Sequence, residues 1–331
     1  MERFLIIRLS SLGDIIHTLP AYAALRRAFP DAVIRWAVEE KGKEILDLVP
    51  GIDEVAVIDK ARFWHGARLI KDRDQTALDF QGLVKSALLA YLSRSRRRLG
   101  FAKKNLREPL AGLFYTERAF PIPEEEIHVI AKNLKLLEPL GIMESRFEFP
   151  LRIPEDISQS VRSKLAASGL REGQKIVVFN VGAAWQTKRW AREKWAESIL
   201  RVGLTDAFPV LLWGSDEEKT LAGGIAEKTG VPIAPFLSIQ EVIALLRSAA
   251  LLVSGDTFAL QAACALDVPV VALFGPTSPR RNGPFRDRDK ALIREQDCSP
   301  CYKHDCSPLR CMQALSPEDV AAAIREALGK A

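Results

Sequence analysis

The 331-residue chain contains no apolar run that approaches the roughly 20 residues needed to cross a bilayer. It also lacks a G-x-x-x-x-G-K-[ST] loop, which argues against a P-loop ATPase or kinase, and a G-x-G-x-x-G dinucleotide fingerprint. No basic leader precedes a long apolar stretch: Met1-Glu2-Arg3 runs straight into a strand-like segment. A secretory signal is therefore not expected, and the cytoplasm is the expected compartment. No internal repeat or low-complexity segment stands out. Excess charge is small, with 47 basic against 42 acidic residues giving +5. That suits an anionic substrate or an anionic membrane surface. No basic helix or finger spacing points to nucleic acid.

Cysteine is scarce and unevenly placed. Four of the five form Cys298-x2-Cys301-x4-Cys306-x4-Cys311, and Cys264 stands apart. In a cytoplasmic chain such a cluster reads as a metal site or as free thiols before it reads as a disulfide framework. Four thiolates suit a structural zinc ion, although only one pair has C-x-x-C spacing.

What is present is ordinary for a globular protein, at 48% hydrophobic and 27% charged residues, and the length fits two domains. Apolar runs at 4–8, 33–38, 54–58 and 76–79 read as strands, and helix-like segments cover 15–28, 42–48, 83–92 and 126–137. This alternation predicts a parallel α/β sheet covered on both faces. A basic run, Arg94-Ser95-Arg96-Arg97-Arg98, leads into a short strand at Gly100-Phe101. Residues 148–155 carry two prolines and read as a linker, dividing the chain into domains 1–152 and 153–331. The pattern then restarts, with strands at 175–180, 209–213, 251–254 and 270–274. Helices are predicted at 195–202, 238–249 and 317–328, the last capped by Ser316, with a return of that helix to the first domain as one option. Two doubly wound domains imply a cleft that binds one substrate on each side.

Several strand ends carry polar residues suited to ligands. After the first strand comes Ser10-Ser11-Leu12-Gly13-Asp14. Asp14 there suits either a helix cap or a catalytic base. In the second half, Thr187 and Lys188 lie in a strand-to-helix loop suited to phosphate, with a solvated basic loop as the plain alternative. Gly214, Ser215 and Glu218 follow the next strand, where Glu218 suits sugar hydroxyls and Glu217 suits a helix first turn. The sequence Ser254-Gly255-Asp256-Thr257-Phe258 ends a buried strand and opens a helix, a place for a diphosphate; Asp256 as an N-cap is the plain alternative. In the first half, Lys85 and Ser86 follow the fourth strand and could face the cleft. Arg107, and Lys60 and Arg62 near Trp64, add positive charge.

Taken together, residues 7–20, 79–86, 107–115, Lys188-Arg189-Trp190, Gly255-Asp256-Thr257 and Phe274-Gly275-Pro276-Thr277 resemble glycosyltransferase family 9, in particular its ADP-heptose:lipopolysaccharide heptosyltransferases. The segments at 81–86 and 107–110 look most like the heptosyltransferase I branch, and the cysteine-rich tail looks more like the heptosyltransferase II branch. The resemblance implies a GT-B fold of two Rossmann-like domains facing across a cleft. It implies inverting, metal-independent transfer of heptose from ADP-heptose to the Kdo inner core of a lipopolysaccharide precursor, with no cofactor. It also implies peripheral attachment at the cytoplasmic face of the inner membrane. On this resemblance the base falls on Asp14. Donor contacts fall on Thr187, Lys188, Gly214, Ser215, Glu218, Asp256, Thr257, Phe258 and Gln261. Acceptor contacts fall on Ser10, Ser11, Gly13, His17, Arg62, Lys85 and Arg107. One departure stands out: the family usually reads Asp-Thr-Gly-x-x-His, and here Phe258 and Gln261 replace the Gly and His. Phe removes the close backbone approach that Gly permits. The alternatives are a different nucleotide-sugar donor or a sugar-nucleotide-binding protein without turnover.

Overall fold

The computed structural model describes residues 1–59, 61–123 and 126–329. Lys60, one of the basic residues singled out above, lies outside the described residues. The chain divides into two units, Met1–Arg152 and Ile153–Ala331.

The first unit carries strands β1 (Arg3–Ile7), β2 (Val33–Val38), β3 (Glu54–Val57), β4 (Thr76–Asp79), β5 (Arg97–Gly100) and β6 (Glu117–Arg118). Its helices are α1 (Leu12–Ala28), α2 (Glu40–Leu46), α3 (Phe63–Leu69), α4 (Val84–Leu92) and α5 (Val129–Lys135). The strands form one sheet in the order β3-β2-β1-β4-β5-β6, and every pair is parallel. Parallel strands are covered on both faces and therefore read as near-continuous apolar runs. Phe4, Leu5, Ile6 and Ile7 are accordingly all buried. Helix α1 is buried from Ile15 to Leu25 around its whole circumference, which is why its sequence shows no polar face.

The second unit carries β7 (Lys175–Asn180), β8 (Ala207–Leu212), β9 (Ala249–Gly255), β10 (Val270–Phe274) and β11 (Lys290–Ile293). Its helices are α6 (Glu155–Ala167), α7 (Arg192–Val202), α8 (Asp216–Thr229), α9 (Ile239–Arg247), α10 (Phe258–Ala265), α11 (Pro279–Asn282), α12 (Arg310–Gln313) and α13 (Pro317–Ala327). The sheet order is β11-β10-β9-β7-β8, again all parallel. Strand order reverses beside β7 and β9, and ligands of open α/β sheets gather at such points, beyond the strands' carboxyl ends. The core on one face gathers Phe179, Trp190 and Trp195, whose indole rings meet edge to face at 5.2 Å. The final helix, α13, packs on α7, β10 and β11 of its own unit.

Helix starts differ from the sequence reading at one place that matters. Helix α1 begins at Leu12, not Ile15, with Ser11 as its N-cap. Asp14 is therefore the third helical residue and not the cap. Its carboxylate reaches back to accept from the Ser11 N–H at 3.2 Å and from the Ser11 hydroxyl at 3.0 Å.

Candidate active site

In the first unit the carboxyl ends of β1 and β4 hold one hydrogen-bonded cluster. Arg8 Nη2 lies 2.8 Å from Asp14 Oδ1, with the Arg8 side chain 8% exposed and that of Asp14 39% exposed. Arg8 Nη1 also donates to the Phe80 carbonyl, and the Leu9 N–H donates to Gln81 Oε1 at 2.9 Å. Desolvation pushes the Asp14 carboxyl up, but the Arg8 charge, the His17 charge and the two Ser11 hydrogen bonds outweigh it and hold the group at about 2. The result is a carboxylate that is ionised, partly open to solvent and fixed in direction.

Behind this cluster, Asp79 is fully buried and accepts from Tyr115 Oη at 2.7 Å, Ser86 Oγ at 2.8 Å, and the N–H groups of Gln81 at 2.9 Å and Gly82 at 3.2 Å. Burial raises its pKa, and the four donors oppose the rise. Ser86, which the sequence offers as a cleft-facing residue, is instead spent on this carboxylate: α4 starts one residue after Leu83, which turns position 86 inward. Sequence reasoning missed Asp79 and Tyr115 as a pair, because residues 36 apart reveal their contact only in the fold.

The residues expected from sequence to meet the acceptor are spread along this unit. Ser10, Ser11 and Gly13 lie in the turn around Asp14, with Ser11 exposed. His17 is one turn further along α1, buried, its ring 5.8 Å from that of His128. Lys85 Nζ lies 3.6 Å from Glu39 and 5.8 Å from the Phe63 ring centre. Arg62 precedes α3, and both Arg62 and Arg107 are exposed.

In the second unit Lys188 and Asp256 form the centre. Lys188 Nζ donates to Asp256 Oδ2 at 2.8 Å and lies 4.2 Å from the Trp185 ring centre, with exposures of 15% and 8% for the pair. Asp256 precedes α10 but does not cap it; Thr257 is the N-cap. The Thr257 hydroxyl joins Ser254 at 2.9 Å and Asn180 at 3.0 Å. Gln261 is buried and donates to the Asn282 carbonyl at 2.9 Å and, more weakly, to Asp256 Oδ1 at 3.4 Å. Phe258 is half-buried in the first turn of α10. The Gly214 N–H donates to Glu218 Oε2 at 2.7 Å, and a Cβ on Gly182 would strike the Glu218 carboxylate. Ser215 caps α8, accepting from the Glu218 N–H. Glu217 lies in the first turn of α8, as its sequence reading predicted, and pairs with Arg189 at 3.1 Å.

One donor-side expectation changes. Thr187 is 1% exposed and gives its hydroxyl to the Lys303 carbonyl at 2.8 Å, so its donor is turned away from solvent to hold the cysteine-bearing loop. The four cysteines differ in exposure: Cys311 is buried, Cys301 is half-buried, and Cys298 and Cys306 are exposed. Among the described residues no three His, Cys, Asp or Glu side chains are gathered so as to hold a metal ion. Cys311 instead packs with Met312 against Gly275, where any Cβ would collide with the Met312 side chain.

The family profile Glycosyltransferase family 9 (heptosyltransferase) matches residues 62–311. The chain is 32% identical over 298 residues to lipopolysaccharide heptosyltransferase 1 of Pseudomonas aeruginosa, covering 86% of this chain and 81% of the relative. It is likewise 32% identical over 297 residues to lipopolysaccharide heptosyltransferase 1 of Salmonella typhimurium, covering 84% and 89%. The fold matches the family 9 glycosyltransferase structure from Veillonella parvula with a TM-score of 0.83 at 22% identity, covering 100% of this chain and 98% of that one. E. coli heptosyltransferase WaaC, solved with ADP-2-deoxy-2-fluoro heptose, matches with a TM-score of 0.76 at 24% identity, covering 98% and 99%. Two all-parallel α/β units, a fixed carboxylate at the end of β1 and a profile spanning most of the sequence place this chain in glycosyltransferase family 9, as a transferase.

Proposed function

We propose that this protein transfers heptose from ADP-heptose to the Kdo inner core of a lipopolysaccharide precursor, with inversion at the anomeric carbon and Asp14 as general base. The two relatives at 32% identity carry the name lipopolysaccharide heptosyltransferase 1, which supports the heptose and the acceptor class. The observation that carries the mechanism is the paired state of Asp14, ionised at every physiological pH and partly open to solvent.

An acceptor hydroxyl attacks the anomeric carbon, its oxygen forming the new glycosidic bond. The bond from that carbon to the diphosphate oxygen breaks, ADP leaves, and the hydroxyl proton passes to Asp14 and then to solvent. A carboxylate held at about 2 is a weak base toward a resting alcohol. It takes the proton only as bond formation acidifies the hydroxyl, so its help falls on the transition state. Lys188 and the N–H groups opening α10 meet the leaving diphosphate, without a metal ion in the step. The Lys188 ammonium donates to the Asp256 carboxylate at 2.8 Å and, more weakly, to its carbonyl at 3.3 Å, and keeps its remaining N–H for phosphate oxygens. Glu218 accepts from donor hydroxyls. Arg62, Lys85 and Arg107 meet the anionic acceptor.

The test is release of ADP and formation of the inverted linkage from ADP-heptose and a delipidated, Kdo-terminated acceptor. Turnover with another nucleotide sugar but none with ADP-heptose overturns the donor. Donor binding without turnover on any acceptor overturns the enzyme reading.

A further inference from the structure

Trp185 and Lys188 stand at the two ends of one tight turn. The 3-10 turn Gln186–Lys188 has Trp185 as its N-cap, and the Lys188 N–H donates to the Trp185 carbonyl at 3.0 Å. Residues three apart eclipse in such a turn, so the two side chains leave it on the same side. Lys188 Nζ accordingly lies 4.2 Å from the centre of the Trp185 ring.

The His304 imidazole stacks on the same indole, with 3.7 Å between ring centres and 30° between planes. The backbone around His304 is pinned. The buried Thr187 hydroxyl donates to the Lys303 carbonyl at 2.8 Å. The Cys301 and Tyr302 N–H groups both donate to the Pro276 carbonyl, at 3.0 and 2.9 Å. Residues 301–304 are thus fastened to the turns that follow β7 and β10, and from there the imidazole covers the indole. Trp185 is only half-buried, so the stacked ring removes freedom that a loop tryptophan otherwise keeps.

The two partners of the ammonium differ in charge. Asp256 holds Lys188 at 2.8 Å, but its carboxylate cancels the positive charge and repels an arriving diphosphate. The indole is uncharged. Its ring face attracts a cation without neutralising it, and leaves an N–H for a phosphate oxygen.

We propose that Trp185 and His304 are positioning residues for Lys188. The indole holds the ammonium where a diphosphate can reach it, and the stacked imidazole fixes the indole. The inference rests on the reading that Lys188 meets the donor diphosphate, and adds what sets its place.

The experiment is calorimetric titration of the full chain with ADP and with adenosine, beside the melting temperature of each variant. W185L keeps apolar bulk without a π face, whereas W185F keeps the face. W185L should bind ADP about five- to thirtyfold more weakly, with adenosine affinity within about twofold of wild type, and W185F should stay near wild type for both. H304A should weaken ADP binding about threefold, and H304F, which restores a stacked ring without the imidazole, should recover it. W185L that binds ADP as tightly as W185F would reduce Trp185 to packing and overturn the proposal. Equal losses for ADP and adenosine would also overturn it, by showing a disturbed loop instead of a displaced ammonium. H304F no better than H304A would show that the imidazole acts on the ligand itself, not through Trp185. K188A separates this inference from the reading beneath it. Undiminished ADP binding by K188A removes Lys188 from the diphosphate site and takes both down; a loss in K188A with none in W185L overturns the positioning role alone.

Discussion

Arg8 holds Asp14 in its ionised form, with Nη2 2.8 Å from Oδ1, while desolvation alone would push the carboxyl the other way. The folded-state value of about 2 lies below the ordinary 3.8, so the stabilisation from this group is present above the ordinary value and fades as pH falls toward 2. Wild-type kcat/KM should therefore show no acid limb from Asp14 at pH 4 and above. Arg8→Gln keeps an N–H for the Phe80 carbonyl but removes the charge. Its acid limb should rise by at least about one pH unit, and Arg8→Lys should restore the wild-type profile. An Arg8→Gln profile that overlays the wild type would show that Arg8 does not set the protonation of Asp14.

Asp14→Asn should keep the fold and lose turnover. Asn retains an oxygen for the Ser11 N–H, and because Arg8 is buried while Asp14 is partly open to water, losing the charge pair should cost about 1–3 kcal/mol. The missing base should lower kcat by about 10²–10⁴-fold with donor affinity unchanged. Steady-state kinetics beside calorimetric donor titration separate the two quantities. Turnover within a few-fold of wild type would remove Asp14 from the chemistry.

The sheets were legible in sequence because buried parallel strands are unbroken apolar runs. β2, β4, β7 and β10 fall where the runs at 33–38, 76–79, 175–180 and 270–274 predicted them. The 3-10 turn Pro109–Phe114 and the two-residue β6 gave no such signal. They rest on tertiary ties such as Arg118 to Gly112, not on periodicity. The site was legible residue by residue but not in its pairings. Lys188 and Asp256 were each singled out, yet they are 68 residues apart and their ion pair exists only once β7 and β9 align. Asp14 suits a cap or a base in the sequence, the cap because the apolar run starts at Ile15; the helix instead begins at Leu12, which makes Asp14 its third residue, paired with Arg8.

Tyr115→Phe tests the buried carboxylate behind the site. Removing the phenol takes a 2.7 Å donor from Asp79 and should cost about 1.5–3 kcal/mol. Burial already raises Asp79, so its charged form opposes folding increasingly as pH rises through its folded-state pKa, and protonation relieves it. The gap between Tyr115→Phe and wild type should narrow as pH is lowered toward the ordinary carboxylate range. Denaturant melts at several pH values measure it; a gap that widens on acidification contradicts this account.

Gly182→Ala tests Glu218 without touching it. The added Cβ would collide with the Glu218 carboxylate, the movable end of a flexible side chain, so the fold should tolerate it. Displacing that carboxylate should raise the donor KM by about tenfold, the scale of one hydrogen bond, with little change in kcat. Glu218→Ala should match it. If Glu218→Ala leaves donor KM untouched, Glu218 does not hold the donor.

Lys188 and Asp256 tie the donor side to stability. The pair is largely buried, so removing one partner leaves a charge with reduced solvation and without its counterion. Lys188→Ala should destabilise the protein by about 3–5 kcal/mol, the cost of breaking a buried pair. The double variant Lys188→Ala/Asp256→Ala should recover a large part of that loss, because no stranded charge remains, yet it should bind ADP-heptose no better than Lys188→Ala. The two readouts part company for a physical reason. Stability depends on whether Asp256 is compensated, and Gln261, which reaches Asp256 only at 3.4 Å, is too weak a donor to replace an ammonium. Donor affinity depends on an ammonium being present for the diphosphate, which the double variant also lacks. Chemical denaturation and calorimetric titration of the three proteins decide it. Additive stability losses would mean the two residues are not energetically paired, and undiminished donor binding in either variant would take Lys188 out of the diphosphate site.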